Sequence, residues 1–196
     1  MPDAVRRADR IEHRTSPMTD AELLEKFRHP DSRNYAFNLL VRKYQQRVYG
    51  LIRKMVIDHD DADDLTQETF IKIWNGLDRF RGDAQLFTWI YRVATNECLH
   101  FLDRKKRRFF IPLHDVTQEL AARLDDDPLI TGDAVERQLQ KAILTLPEKQ
   151  RLVFHLKYYD DLTYEQIAEI TGTSVGALKA SYHLAVKKIE QFIAGH

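Results

Sequence analysis

The sequence predicts an all-α chain of two small helical domains joined by a flexible acidic linker. Apolar residues recur every three or four positions through most of its 196 residues, and no stretch alternates as a half-buried strand does. Only 7 glycines and 6 prolines interrupt that pattern, and cap-forming residues stand where the apolar periods begin. Hydrophobic residues at 43% permit packed cores, and charged residues at 31% supply solvated surface. The single cysteine, Cys98, excludes an internal disulfide and a thiolate metal cluster, so packing must supply the stability and a reducing compartment fits. No window reaches the roughly 18 apolar residues of a membrane span, so a cytoplasmic chain without membrane insertion is expected.

Taken in order, residues 1–18 carry charge without a period and read as a mobile tail. Thr19-Asp20-Ala21-Glu22 has capping-box spacing and opens a short helix that Pro30 stops. Phe37, Leu40, Tyr44, Val48, Leu51 and Met55 form one stripe of a long amphipathic helix. Further helices are expected over about 62–77 and 83–107, which closes a first domain at 19–110. The equality of Lys+Arg 30 and Asp+Glu 30 conceals a sharp reversal at this point. Arg104, Lys105, Lys106, Arg107 and Arg108 face only Asp103, whereas acids dominate residues 111–133, where Asp125-Asp126-Asp127-Pro128 favours an extended connector. The helical pattern resumes near Ala134, breaks at Leu146-Pro147, where proline suits a first helical turn, and closes a second domain at 134–196.

The second domain ends in a helix, tight turn and helix. Thr163 to Gln166 repeats the capping-box spacing, Gly172 can end the helix in a left-handed conformation, and Ser174 can cap the next. Val175, Leu178, Tyr182, Ala185, Val186 and Ile189 share one side of that last helix. Gly176, Ala177, Ala180, His183, Leu184 and Lys187 fall opposite. Small residues at the start of an outward face let a backbone approach a major groove closely, although an ordinary helix hairpin has the same pattern.

In the first domain, Thr66, Phe70, Ile73 and Leu77 form a buried stripe, with Asp61, Asp64 and Glu68 opposite and Leu65 and Ile71 flanking the acids. A docking face for a basic helix combines such elements, and a merely solvated face needs no apolar flank. Downstream, Arg92, Asn96, His100 and Arg107 form a polar stripe bordered by Trp89 and containing Asp103. Cations for phosphate, an amide for a base edge and a nearby aromatic suit single-stranded DNA, and the loop from Phe80 to Phe87, flexible at Gly82, can pocket an unstacked base. Aromatics at helical spacing also build cores, and Phe101, Tyr91 and Trp89 are expected to contribute there. Nothing converges as a catalytic constellation: no phosphate-cradling glycine loop, nucleophile elbow or zincin-type histidine pair is present, and the 8 histidines are scattered. Neither enzymatic activity nor a metal or other cofactor is expected.

The phrases Leu146-Pro147-Glu148-Lys149-Gln150-Arg151 and Asp161 through Gly172 closely resemble region four of bacterial RNA polymerase sigma factors. Asp61 through Trp74 and Asp78 through Asn96 resemble region two of the compact extracytoplasmic-function (ECF) group of that family. The resemblance implies a promoter-specificity subunit whose partners are core RNA polymerase, through its beta-prime clamp helices and beta flap, promoter DNA, and an anti-sigma factor. It assigns polymerase binding to Asp61, Asp64, Leu65, Gln67, Glu68 and Ile71. Minus-ten recognition falls to Phe80, Arg81, Gly82, Phe87, Trp89, Arg92, Asn96, His100 and Arg107. Minus-thirty-five recognition falls to Ser174, Gly176, Ala177, Lys179, Ala180, Ser181, His183 and Lys187. The chain departs from the family where Ala180-Ser181-Tyr182 follows Lys179 instead of the common Ser-Arg-Leu, so fewer arginines face the DNA. A helix-turn-helix regulator acting apart from polymerase, and a protein-binding helical adaptor, are the alternatives.

Overall fold

The computed structural model describes residues 18–109 and 134–195, so almost all of the expected tail and the whole of the expected linker lie outside the described residues. Those residues form eight α-helices, a 3-10 turn and no strand. Two compact units part between Arg42 and Lys43.

In the first unit, α1 (Asp20–Arg28) is set by its cap. The Thr19 hydroxyl accepts from the Glu22 amide at 3.3 Å, and the Glu22 carboxylate accepts from the Thr19 amide at 2.8 Å. The Thr19 amide and the Thr19 hydroxyl, both donating to the Glu22 carboxylate at 2.8 Å, hold that carboxyl below its ordinary range. A 3-10 turn over Pro30–Ser32 redirects the chain into α2 (Arg33–Val56). Leu23 and Phe27 are buried, the Phe37 ring stands 6.3 Å from that of Phe27, and the Arg33 guanidinium lies 4.3 Å above it.

The second unit holds the rest of α2, then α3 (His59–Leu77), α4 (Leu86–Phe109), α5 (Ala134–Leu144), α6 (Glu148–Tyr158), α7 (Tyr164–Thr171) and α8 (Val175–Ala194). Ile57 sits between α2 and α3 with φ of 68°, an uncommon conformation for a β-branched residue, and its side chain is buried. Asp58 then caps α3 by accepting from the Asp61 amide at 2.9 Å. Leu51, Ile52 and Met55 of α2, Ala62, Leu65 and Ile73 of α3, and Ile90, Ala94 and Cys98 of α4 are all essentially excluded from solvent. A second apolar cluster joins Ala142, Ile143 and Leu146 to Phe154, Ala185 and Ile189. Thr163 and Gln166 form the expected capping box, Gly172 ends α7 at φ of 69°, and the Ser174 hydroxyl caps α8.

Four expectations are corrected. Helix α4 starts at Leu86 instead of Asp83, after a loop in which Gly82 has φ of 81°. Pro147 is the N-cap of α6 with extended ψ of 142° and not a first-turn residue. Leu65 does not flank the acids at the surface: with 2% of its area exposed it belongs to the core, because it follows Ala62 and precedes Thr69 on the inner side of α3. Of the aromatics expected in the core only Tyr91 is buried; Trp89 and Phe101 are half-buried, the Phe101 ring approached by the Lys105 ammonium at 5.6 Å.

Replacing the cap of α7 by Thr163→Ala should lower stability to urea unfolding by about 1 kcal/mol while Thr163→Ser stays near wild type.

Candidate nucleic-acid interface

Helix α3 presents its acids outward because the inner face is taken up by Ala62, Leu65, Thr69, Phe70 and Ile73. Asp64, Gln67 and Glu68 are exposed, and Ile71 is 60% exposed beside them. Asp61 is half-buried and paired with Lys105 of α4 at 2.8 Å, so of the expected docking acids it is the one already engaged within the chain.

The loop between α3 and α4 and the first turns of α4 enclose a shallow pocket of about 310 Å³ lined by Arg79, Phe80, Arg81, Asp83, Ala84, Trp89 and Arg92. Its wall is aromatic, with the Phe80 and Trp89 rings 5.4 Å apart, and three guanidinium groups stand around it. Gly76 makes this possible from the far side: a Cβ there would lie 3.0 Å from Trp89 Cζ2, so the indole rests directly on the backbone of α3. Phe87, expected in the same pocket, turns away. Its ring lies 4.3 Å from Tyr91 and 4.8 Å beneath the Arg47 guanidinium.

Farther along α4, Asn96, His100 and Arg107 are exposed in one line, with Arg107 paired to Asp103 at 2.6 Å. Beside them, a second pocket of about 230 Å³ is lined by Lys72, Glu97, His100, Asp103 and Arg104. Glu97 is only 6% exposed, and Lys72 reaches across from α3 to pair with it, which compensates an otherwise isolated buried carboxylate. Sequence reasoning missed this pair, because spacing along one helix does not reveal which side chain of a neighbouring helix will meet it.

In the helix-turn-helix, Leu178, Ala185 and Ile189 of α8 are buried, while Gly176, Ala177, Lys179, Ala180, His183 and Lys187 are exposed. Nothing lies within 4 Å of a Cβ built on Gly176, so the chain itself gives no packing reason for that glycine. Ser174 is exposed and spends its hydroxyl on the Ala177 amide at 3.4 Å. Ser181 is half-buried, at the edge of the outward face, and the Lys179 ammonium stands 5.7 Å from the Tyr164 ring. Among the described residues, no group of three or more His, Cys, Asp or Glu side chains is placed to hold a metal ion, and no helix is long and apolar enough to cross a membrane.

These two surfaces coincide with two known segments. The description Sigma-70 region 2 matches residues 40–108, and Sigma-70, region 4 matches residues 136–189. The chain is 35% identical to the RNA polymerase sigma-H factor of Pseudomonas aeruginosa, over 88% of this chain and 92% of that one. It is 34% identical to the ECF RNA polymerase sigma-E factor of Haemophilus influenzae, over 90% and 96%, and 33% identical to that of Escherichia coli K12, over 88% and 93%. In fold it resembles the sigma factor RpoE in complex with the anti-sigma factor NepR from Bartonella quintana, with a TM-score of 0.64 at 21% identity over 81% of this chain and 96% of that one. It also resembles CnrH in complex with the cytosolic domain of CnrY, with a TM-score of 0.64 at 22% identity over 90% and 99%. An acidic outer face on α3, an aromatic pocket at a helix start and an outward-facing helix-turn-helix lie in that order within the matched segments, and those matches make the protein a member of the ECF group of the sigma-70 family of RNA polymerase sigma factors.

Proposed function

We propose that this sigma factor docks on core RNA polymerase through the outer face of α3 and captures unpaired promoter DNA in the pocket formed by the 80–85 loop and the start of α4. The docking residues are Asp64, Gln67, Glu68 and Ile71, which face the beta-prime clamp helices, with Asp61 assisting through its pair to Lys105. Residues 19–110 form the docking and minus-ten domain. Residues 134–196 contact the beta flap and read the minus-thirty-five element, and residues 111–133 tether the two. Leu65 supports the docking face from beneath, consistent with its burial.

The observation that carries this reading is the aromatic pocket. Phe80 and Trp89 offer π-faces to an extruded base, and Arg79, Arg81 and Arg92 offer charge to its phosphates. Unpairing a base costs a few kcal/mol, which stacking at about 1–3 kcal/mol per base offsets once polymerase holds the chain in place. Asn96 and His100 extend the same surface along α4, where an amide can pair with a base edge. Phe87 acts on this surface indirectly, by holding the first turn of α4 against Tyr91 and Arg47. On α8, the exposed Gly176, Ala177 and Ala180 admit close approach of the DNA backbone, with Lys179 and Lys187 as phosphate contacts.

The chain supplies no chemistry of its own in this scheme. Nucleotidyl transfer belongs to the polymerase, the site of action is the cytoplasm, and an anti-sigma factor controls access. Core polymerase supplemented with this chain alone should initiate from a cognate promoter. Initiation only in the presence of a second sigma factor would instead indicate a separate regulator.

Glu68→Lys should abolish association with core polymerase while leaving the helical circular-dichroism spectrum unchanged, since it reverses charge on an exposed position. Asn96→Ala should reduce open-complex formation about tenfold, read by permanganate reactivity of unpaired thymines, with polymerase affinity unchanged, in keeping with loss of one base contact worth roughly 1–3 kcal/mol.

A further inference from the structure

The segments matched to regions two and four pack on each other within the second unit, along two patches. At the first, Arg92 of α4 donates through Nε, at 3.1 Å, and through Nη2 to the carbonyl of Glu169 near the end of α7. Around that bond, Gly82, Asp83, Ala84, Gln85 and Thr88 face Glu165, Gln166 and Glu169 across a gap of about 490 Å³. At the second, one stripe of α6 meets the end of α2 and the far part of α4. Glu148 pairs with Lys106 at 2.7 Å, Arg151 donates to the Met55 carbonyl at 3.2 Å, and the Tyr159 ring lies 4.3 Å from the Lys54 ammonium.

The spacing 151, 155 and 159 places His155 between those last two contacts. His155 is 1% exposed, set between the Arg151 and Lys54 cations with the Lys54 backbone as its one hydrogen-bonding neighbour among the described residues, while Arg151, 3% exposed, leaves Nε unsatisfied. Burying ionisable groups with incomplete partners opposes closure, so the Glu148–Lys106 pair, the arginine-to-carbonyl bonds and the Lys54–Tyr159 contact hold this seam shut against a standing penalty. A seam balanced in that way is suited to opening.

We propose that this seam is a self-masking latch: when it is shut, α7 covers the minus-ten face of α4 and occupies Arg92, and protonation of His155 on acidification favours opening. The masking half of the proposal rests on the minus-ten reading given above.

The charged neighbours set the sign. Burial, the Arg151 charge and the Lys54 charge push His155 down to about 3, against a hydrogen bond with the Lys54 backbone that favours the charged ring. A histidine depressed when shut and ordinary when open favours the shut state above about 6.5, and that preference is lost progressively as pH falls below it. Asp160, half-buried near Lys54 and Arg47, is raised by desolvation and opposes this trend, but only as pH approaches the carboxylate range. The Cys98 thiol, pushed up to about 12 by burial, stays neutral throughout. Glu148 favours closure by pairing with Lys106, and its charge offsets the burial of Arg151.

The test uses the full chain free of polymerase, labelled for single-molecule energy transfer at Asn75→Cys and Glu190→Cys, two exposed positions on α3 and α8, with buried Cys98 left unlabelled. A short-distance population should dominate at pH 7.5, and the open-to-shut ratio should rise about tenfold at pH 5.5. His155→Phe should remove the pH response, and Glu148→Ala should raise the open fraction about tenfold at pH 7.5. An acid response that persists in His155→Phe, or a distance that Glu148→Ala leaves unchanged, overturns the latch. Glu148→Ala should also bind a dye-labelled pool of random single-stranded DNA more tightly than wild type. Opening without that gain overturns the masking and points to a failure of the minus-ten assignment instead of the seam.

Discussion

Helix α4 is the element on which the rest depends, because one 24-residue helix must satisfy two incompatible demands at once. Its inner side buries Ile90, Tyr91, Ala94, Cys98 and Leu102. Its outer side keeps Asn96 and His100 in water and turns the Arg92 guanidinium toward the Glu169 carbonyl of α7. A period of 3.6 residues leaves little room between those sides, and the side chains at the border show the tension. Thr95 folds its hydroxyl back to the Tyr91 carbonyl at 2.8 Å, and Glu97 is buried only because Lys72 comes across to meet it. Border residues are therefore spent on self-satisfaction, and the two faces stay distinct.

Much of the helical architecture was legible because it is local. The boxes at Thr19 and Thr163, the left-handed Gly172 and the Ser174 cap depend on residues within four positions of one another, and all appear as expected. The outward face of α8 was legible for the same reason. Leu65 was misread because a helical wheel gives directions without depths: it flanks the acids in projection, yet the neighbouring helices close over it. The true start of α4 depended on Gly82 taking a positive φ and on the three residues after it remaining irregular, which a charge-rich, apolar-poor segment does not announce. The Lys72–Glu97 pair and the Arg151 to Met55 bond join residues 25 and 96 positions apart, and no periodicity encodes such encounters.

The seam between the matched segments uses main-chain acceptors at two of its contacts, the carbonyls of Met55 and Glu169. Both lie at or near helix C-termini, where the last carbonyls lack intrahelical donors and the dipole favours a cation. Arginine is suited to this task, since its planar fork addresses a carbonyl without competing for side-chain partners. Such contacts constrain side-chain identity on one side only. The acceptor positions can drift in sequence as long as the helices end in the same places.

The absence of a side chain at Gly76 has a mechanical corollary. Because the Trp89 indole bears on bare backbone, no flexible group cushions the two helices at that point. Any tilt imposed on α3 by a large partner gripping its acidic side is transmitted as rigid displacement to the ring that walls the base-sized hollow. Under the proposed function, gripping the transcription machinery and shaping the cavity for an everted nucleotide become one movement, geared through a single hydrogen atom.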